Sequence, residues 1–148
     1  MLAAIHNRLM GSAFVILLHS GNGPAHCDFL LEGPAAAETW QFLDDPATLM
    51  PSPASEAGEK RARPQAPEKI LEIPAKKIQD HRLMYLDYEG PLSGGRGSVR
   101  QLDKGTYEMI ARSANSLEFR LAGRVMKGTF LLQHAQGQWI LRRLSQRR

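Results

Sequence analysis

Between His19 and Glu32 the chain reads His19-Ser-Gly-Asn-Gly-Pro-Ala-His26-Cys27-Asp28-Phe29-Leu30-Leu31-Glu32. Side chains alternate faces along a strand, so His26, Asp28, Leu30 and Glu32 share one side and Cys27, Phe29 and Leu31 the other. The apolar set suits a core, which leaves an imidazole and a carboxylate side by side on the opposite face. His19, at the end of a preceding strand, is placed to add a third donor across a hairpin. Two imidazoles and one carboxylate with open positions suit Mn²⁺, Zn²⁺ or Fe²⁺, whereas a lone core-facing Cys27 is inert. H-x-D is also a common triplet on solvated strand faces, and spacing alone leaves both readings open.

A second segment, Asp80-His81-Arg82-Leu83-Met84-Tyr85-Leu86-Asp87-Tyr88-Glu89-Gly90, runs into the glycine-rich stretch Pro91-Leu92-Ser93-Gly94-Gly95-Arg96-Gly97. Such a loop can bring backbone N–H groups and a guanidinium to a phosphate. It is neither a P-loop nor a dinucleotide fingerprint, and a tight turn carrying a surface arginine is the competing reading. No G-x-S-x-G, C-x-x-C or H-E-x-x-H occurs in the chain, which sets aside those hydrolase, redox and zinc-protease chemistries. Trp40 and Trp139 lie in strand patterns and read as core. His6 and His134 lack convergent partners and read as surface residues. Arg142, Arg143, Arg147 and Arg148 read as phosphate contacts or as a frayed basic tail.

The elements that must carry these residues are mostly strands. Ala13–Leu18 is a short apolar run fit for a buried strand, His26–Glu32 follows a Gly21-Asn22-Gly23-Pro24 turn, and Thr39–Leu43 is a third strand. From Asp44 to Glu68 the composition turns to proline, small residues and charge, which predicts a long flexible insertion without secondary structure. Pro74–Ile78 predicts a short helical turn with proline at its start, leading to Asp80-His81. Beyond Gly90 short strands are expected over Ser98–Leu102, Thr106–Ala111, Leu117–Leu121, Thr129–Gln133 and Gln138–Leu144. The first two are parted by a turn at Asp103-Lys104-Gly105. Leu117, Phe119 and Leu121 alternate with Glu118 and Arg120, the pattern of a sheet with one wet face. The expectation is a mainly β domain, a small curved antiparallel sheet or β-barrel with one or two short helical turns.

At 148 residues the chain fits one domain spanning 1–148, with the insertion at 44–68. The Ala13–Leu18 run is far too short to cross a bilayer, so no membrane association is expected. Arg8 and that run imitate a secretory leader, but no A-x-A-like site follows. A single cysteine forms no internal disulfide, which points to a reducing, cytoplasmic setting. The net charge of +4 hides an asymmetry. Residues 1–80 carry seven Lys/Arg against ten Asp/Glu, and residues 81–148 carry twelve against five. A basic half suits a polyanion, or is a solvated surface with no partner.

In their order along the chain these blocks resemble the 3′-phosphoesterase domain of bacterial DNA ligase D and its short stand-alone relatives. The family pattern runs F-V-V-x-x-H, H-x-D-x-R-L-E, a Trp strand, D-H-x-L-x-Y, F/Y-E-G, a glycine loop and W-D-x-G-T-Y. Its counterparts here are Phe14-Val15 to His19, His26 to Glu32, Trp40, Asp80 to Tyr85, Tyr88-Glu89-Gly90, and Leu102-Asp103-Lys104-Gly105-Thr106-Tyr107. The likeness spans almost everything except residues 44–68 and the first dozen. It implies a β-barrel-like domain that binds Mn²⁺, or Zn²⁺ or another divalent transition metal. Such a domain trims DNA 3′ ends in break repair by non-homologous end joining, removing 3′-phosphates or 3′-ribonucleosides. A DNA ligase or a Ku-like end-binding protein is the partner so implied.

Carried over by position, the resemblance makes His19, His26 and Asp28 the metal ligands. His81 contacts the scissile phosphate or protonates the leaving oxygen, and Tyr85 is an active-site tyrosine. The family arginine two residues after the H-x-D aspartate is Leu30 here, and the glutamine two before the first histidine is Leu17. Arg82 or Arg96 then stands as the substitute guanidinium. Six residues separate His19 from His26, one more than in the family, so the hairpin is expected to bulge for His19 to reach the ion. The competing function is a non-catalytic DNA-end or repair-complex binding module on the same fold.

Overall fold

The computed structural model describes residues 12–51 and 72–144. Nine strands account for most of them: β1 (Ser12–Ser20), β2 (His26–Glu32), β3 (Ala37–Phe42), β4 (Glu72–His81), β5 (Gly90–Pro91), β6 (Ser98–Ser113), β7 (Ser116–Gly123), β8 (Lys127–Ala135) and β9 (Gln138–Arg143). Three short 3₁₀ turns, Pro46–Leu49, Leu83–Leu86 and Ser93–Gly95, complete the elements. All pairings are antiparallel, in the order β1-β2-β3-β4-β9-β8-β7-β6-β5. A further β1–β6 pairing makes the hydrogen bonding of this curved sheet ring-like.

Strand alternation sorts the apolar residues into two clusters. Phe14, Ile16, Cys27, Phe29, Leu31, Trp40, Phe42, Phe119, Phe130 and Leu141 belong to the main core on the inner face. Phe29 sits at its centre, with the Phe14, Trp40, Phe42 and Phe119 ring centroids between 5.8 and 6.5 Å away. Fully burying such a ring contributes roughly 1.5–3 kcal/mol. Val15, Leu17 and Leu30 face outward, yet they too are buried. Ala37, Leu86 and Val99 join them, with Leu83, Tyr85, Tyr88 and Leu92 packed on top. Two covered faces explain the unbroken Phe14-Val15-Ile16-Leu17 run.

Two bulges decide which side chains reach the outer face. Thr39 pairs with Ile78 but Ala37 pairs with His81, so β4 carries one extra residue between them. A one-residue slip turns a side chain to the other face. Ile73 and Ala75 therefore point into the core, while His81 shares the outer face with Ala37. In β6 the extra residue is Leu102, since Ile16 pairs with Asp103 and Leu17 with Gln101.

Four expectations need correction. Pro74–Ile78 is part of strand β4, not a helical turn. Proline is tolerated because β4 pairs with β9 at residues 72–75 and with β3 only from Lys76 onward, so Pro74 has a ladder on one side alone. Asp103-Lys104-Gly105 is no turn but the bulged middle of the continuous strand β6. Its Asp103 carboxylate accepts from the backbone N–H groups of Arg124, Val125 and Met126 at 2.7, 3.1 and 2.7 Å, and so braces the β7–β8 loop. A stretch of the expected insertion is structured, for Asp45 caps the Pro46–Leu49 turn and Leu49 is buried. Residues 52–68 lie outside the described residues, as do His6, Arg147 and Arg148. The hairpin does not bulge: β1 and β2 stay in register from Phe14↔Leu31 to His19↔His26, and all six intervening residues enter the loop.

Smaller differences follow from pairing. Arg142 and Arg143 sit in β9 rather than in a frayed tail, one bridging to Glu72 and the other donating to the Leu49 carbonyl. His134 is half-buried against the Trp139 ring. Among the described residues no helix is long and apolar enough to cross a membrane.

Candidate functional site

The unbroken β1–β2 register sets His19 directly opposite His26, both on the outer face with Asp28. Their donor atoms gather tightly. His19 Nδ1 lies 3.1 Å from His26 Nε2, and these nitrogens are 3.9 and 3.4 Å from the Asp28 carboxylate oxygens. His81 joins from β4, its Nε2 3.6 Å from Asp28 Oδ2. One atom from each of His19, His26 and Asp28 falls within 4.8 Å of the others.

The outer ring nitrogens explain which atoms turn inward. His19 Nε2 donates to the Arg96 carbonyl at 2.7 Å, and His81 Nδ1 to the Gln79 carbonyl at 3.1 Å. His26 Nδ1 faces the Pro24 carbonyl at 3.4 Å. With the His19 Nε2–H held by the Arg96 carbonyl, His19 Nδ1 turns a lone pair toward His26 Nε2, and the nearer His26 Nδ1–H comes to the Pro24 carbonyl the more the two inward nitrogens meet lone pair to lone pair. Two facing lone pairs beside a carboxylate repel unless a proton or cation sits among them. Asp28 is 3% exposed, and its Oδ1 has no hydrogen-bond partner. A buried anionic oxygen without a donor is costly, and a cation relieves that cost. The donor set, oriented from behind by backbone carbonyls, therefore fits a divalent transition metal.

A cavity of about 580 Å³ opens over this cluster. Leu17, His19 and Asp28 form its floor; Ile78 to Arg82 and Tyr85 form one wall, and Leu92, Ser93, Arg96 and Val99 another. His81 has its pKa raised, chiefly by the Asp28 carboxylate facing its Nε2, against the opposing effect of burial, and further by the Gln79 carbonyl. The Tyr85 ring meets His81 edge-on at 6.0 Å and Tyr88 at 5.8 Å. Tyr88 in turn donates its hydroxyl to the Pro91 carbonyl.

All seven residues singled out from the sequence are thus placed. His19, His26, Asp28 and His81 converge, and Tyr85, Arg82 and Arg96 line the same cavity. Leu17 and Leu30 are 1% and 0% exposed within the outer apolar cluster, so the floor carries no guanidinium. Sequence reasoning missed the positioning groups: the Arg96, Pro24 and Gln79 carbonyls, and Ser93, which holds the Arg96 side chain. Backbone acceptors leave no trace in residue types. The glycine pattern was the one available sign of a fixed loop. Gly94, Gly95 and Gly97 adopt φ of 70°, 69° and 88°, and a Cβ on Gly97 would lie 2.2 Å from the Ser20 carbonyl oxygen.

Two comparisons bear on this site. No curated protein matches the chain significantly. The model of the DNA ligase D 3′-phosphoesterase domain family matches residues 18–134, well over half of the sequence, and spans every residue of the cavity apart from Leu17.

Proposed function

The chain belongs to the DNA ligase D 3′-phosphoesterase domain family, and on that premise we propose that it is a divalent-metal-dependent phosphoesterase clearing blocked 3′ ends of DNA. Membership carries a DNA-repair phosphoesterase kind of role. The metal, the kind of end and the residue roles are our reading. The observation that supports it most is the buried Asp28 carboxylate, its Oδ1 without a hydrogen-bond partner and its two oxygens facing His26 Nε2 and His19 Nδ1. His19, His26 and Asp28 would hold the ion, with Mn²⁺ the first choice and Zn²⁺ also compatible with the donors. A bound cation supplies Lewis-acid polarisation of a phosphoryl oxygen.

The chain's own groups do the rest. His81, anchored at Nδ1 by the Gln79 carbonyl, presents Nε2 toward the cluster and can contact the scissile phosphate or hand a proton to the leaving oxygen. Tyr85 packs edge-on against the His81 ring and lines the cavity. Arg82 and Arg96 supply positive charge at the rim, where a phosphate needs it. The substrates so favoured are DNA 3′-phosphates and 3′-ribonucleosides, with a ligase or Ku-like protein as the recruiting partner. We read the chain as one such domain interrupted by an insertion between β3 and β4.

The decisive experiment incubates the protein with Mn²⁺ and a primer–template ending in a 3′-phosphate, beside the His26→Ala variant. Phosphate release that the variant loses is the expected result. End binding without release in the wild type would make this a non-catalytic module, and no binding at all would remove the nucleic-acid reading.

A further inference from the structure

Arg96 touches the cavity in two independent ways. Its carbonyl accepts the His19 Nε2–H at 2.7 Å, while its side chain is pinned to its own loop. Nε donates to the Ser93 carbonyl at 2.8 Å and Nη2 to Ser93 Oγ at 3.0 Å. These bonds occupy one edge of the planar group. The remaining donors, on Nη1 and on the second hydrogen of Nη2, have no partner among the described residues.

Such donors are usually spent on a carboxylate, as those of Arg112, Arg120 and Arg142 are on Glu38, Glu108 and Glu72. Arg96 has no such partner among the described residues, although it lines a cavity that also holds Asp28 and Asp80. The loop beneath it is fixed. Leu92 N–H closes onto the Gly97 carbonyl at 2.7 Å, and Gly97 packs so closely on Ser20 that only glycine fits. The other cavity arginine, Arg82, is exposed like Arg96 but makes no side-chain hydrogen bond among the described residues. A guanidinium already held in plane loses little freedom on binding, and its fork matches two phosphate oxygens.

We propose that Arg96 is the phosphate-gripping residue of this cavity. The free edge of its guanidinium binds the terminal phosphate of a 3′-phosphorylated strand, and Ser93 is the positioning residue that holds the plane. Through its carbonyl the same residue fixes the His19 tautomer, so phosphate grip and metal-ligand orientation share one loop. The proposal deepens the phosphoesterase reading and rests on it for where the phosphate lies.

The two duties separate experimentally, because substitution removes the side chain and keeps the carbonyl. Wild type, Arg96→Ala, Arg96→Lys and Ser93→Ala are compared by three measurements. These are the Mn²⁺-induced rise in Tm, the affinity for an oligonucleotide ending in 3′-phosphate against the same strand ending in 3′-hydroxyl, and phosphate-release kinetics. Arg96→Ala is expected to keep the Mn²⁺ response, to lose about tenfold or more of the preference for the 3′-phosphate, and to lower kcat/KM by about a hundredfold. Arg96→Lys restores the charge without the fork and recovers only a small part. Ser93→Ala raises KM more than it lowers kcat.

An Arg96→Ala protein that still prefers the 3′-phosphate overturns the proposal, and so does a wild type that never distinguished the two ends. A wild type that distinguishes the ends without cleaving them refutes hydrolysis alone. The binding comparison, run with or without Mn²⁺, then still decides the role of Arg96.

Discussion

At the scale of single residues, alternation along one strand made much of the site legible. Reading His26-Cys27-Asp28-Phe29 with period two separates a core face from a polar face, and the structure places Cys27 and Phe29 inside and His26 and Asp28 outside. The same separation governs the chemistry of Cys27. Burial pushes its thiol from an ordinary 9.0 up to about 12, with nearby Asp45, Asp28 and Asp44 adding in the same direction. The folded protein therefore keeps a protonated thiol at pH 8.5, where the unfolded chain begins to ionise. Iodoacetamide at that pH is expected to leave the native protein essentially unlabelled and to label it rapidly in denaturant, followed by intact mass. The linkage has a definite sign. An acid whose folded pKa is raised holds its proton longer in the native state, so this group's contribution to stability falls as pH rises above 9. What residue types do not encode is who holds an imidazole from behind. The three carbonyls that orient His19, His26 and His81 come from positions 96, 24 and 79, and any residue supplies the same atom.

At the scale of elements, strand positions were readable and their continuity was not. β2 spans the residues expected of it, and β7, β8 and β9 contain nearly all of theirs. Two of the three register shifts in the sheet shape the site and the core; they escaped detection because an inserted residue has no composition of its own, yet each has a large consequence. One turns His81 toward Asp28, and the other sends Asp103 into the core side of β6. Asp103-Lys104-Gly105 has the residues of a turn, but the aspartate organises a different loop from inside a strand. Gly105 is required because the Ala122 carbonyl oxygen lies 2.1 Å from where a Cβ would stand. Asp103→Ala leaves the N–H groups of Arg124, Val125 and Met126 without their acceptor. Each orphaned buried donor costs about 1–3 kcal/mol, and water will satisfy those nearest the surface, so a net loss of roughly 3 kcal/mol is expected in urea unfolding. Asp103→Asn keeps part of the bracket and should lose less. Equal stability of wild type and Asp103→Ala would mean that the loop finds other acceptors.

At the scale of the whole molecule, folding ties part of the basic half of the sequence to acids of the other half. Arg112 pairs with Glu38 and Arg142 with Glu72, each joining a cation of the basic half to an acid of the other. Arg120 is taken by Glu108, and Lys104 by Asp87. The pairing was invisible beforehand because it depends on which strands come together in space. The curved sheet, with its ring-like pairing, brings Arg112 of β6 to Glu38 of β3 across 74 residues of sequence, and Arg142 of β9 to Glu72 of β4 across 70. The cations that line the cavity are Arg82 and Arg96, along with whatever charge the histidines carry. Recognition of a DNA end by this protein should then rest on a few phosphates at the terminus rather than on a long electrostatic track. Counterion release gives the measure. About two to three neutralised phosphates predict a slope of log K against log [salt] near −2, where a protein making six or more contacts would show −5 or steeper. Anisotropy titrations of a 3′-phosphorylated duplex from low to moderate salt read that slope directly. A steep value would show that cations outside the cavity carry the binding, and would move the nucleic-acid surface away from the pocket over Asp28.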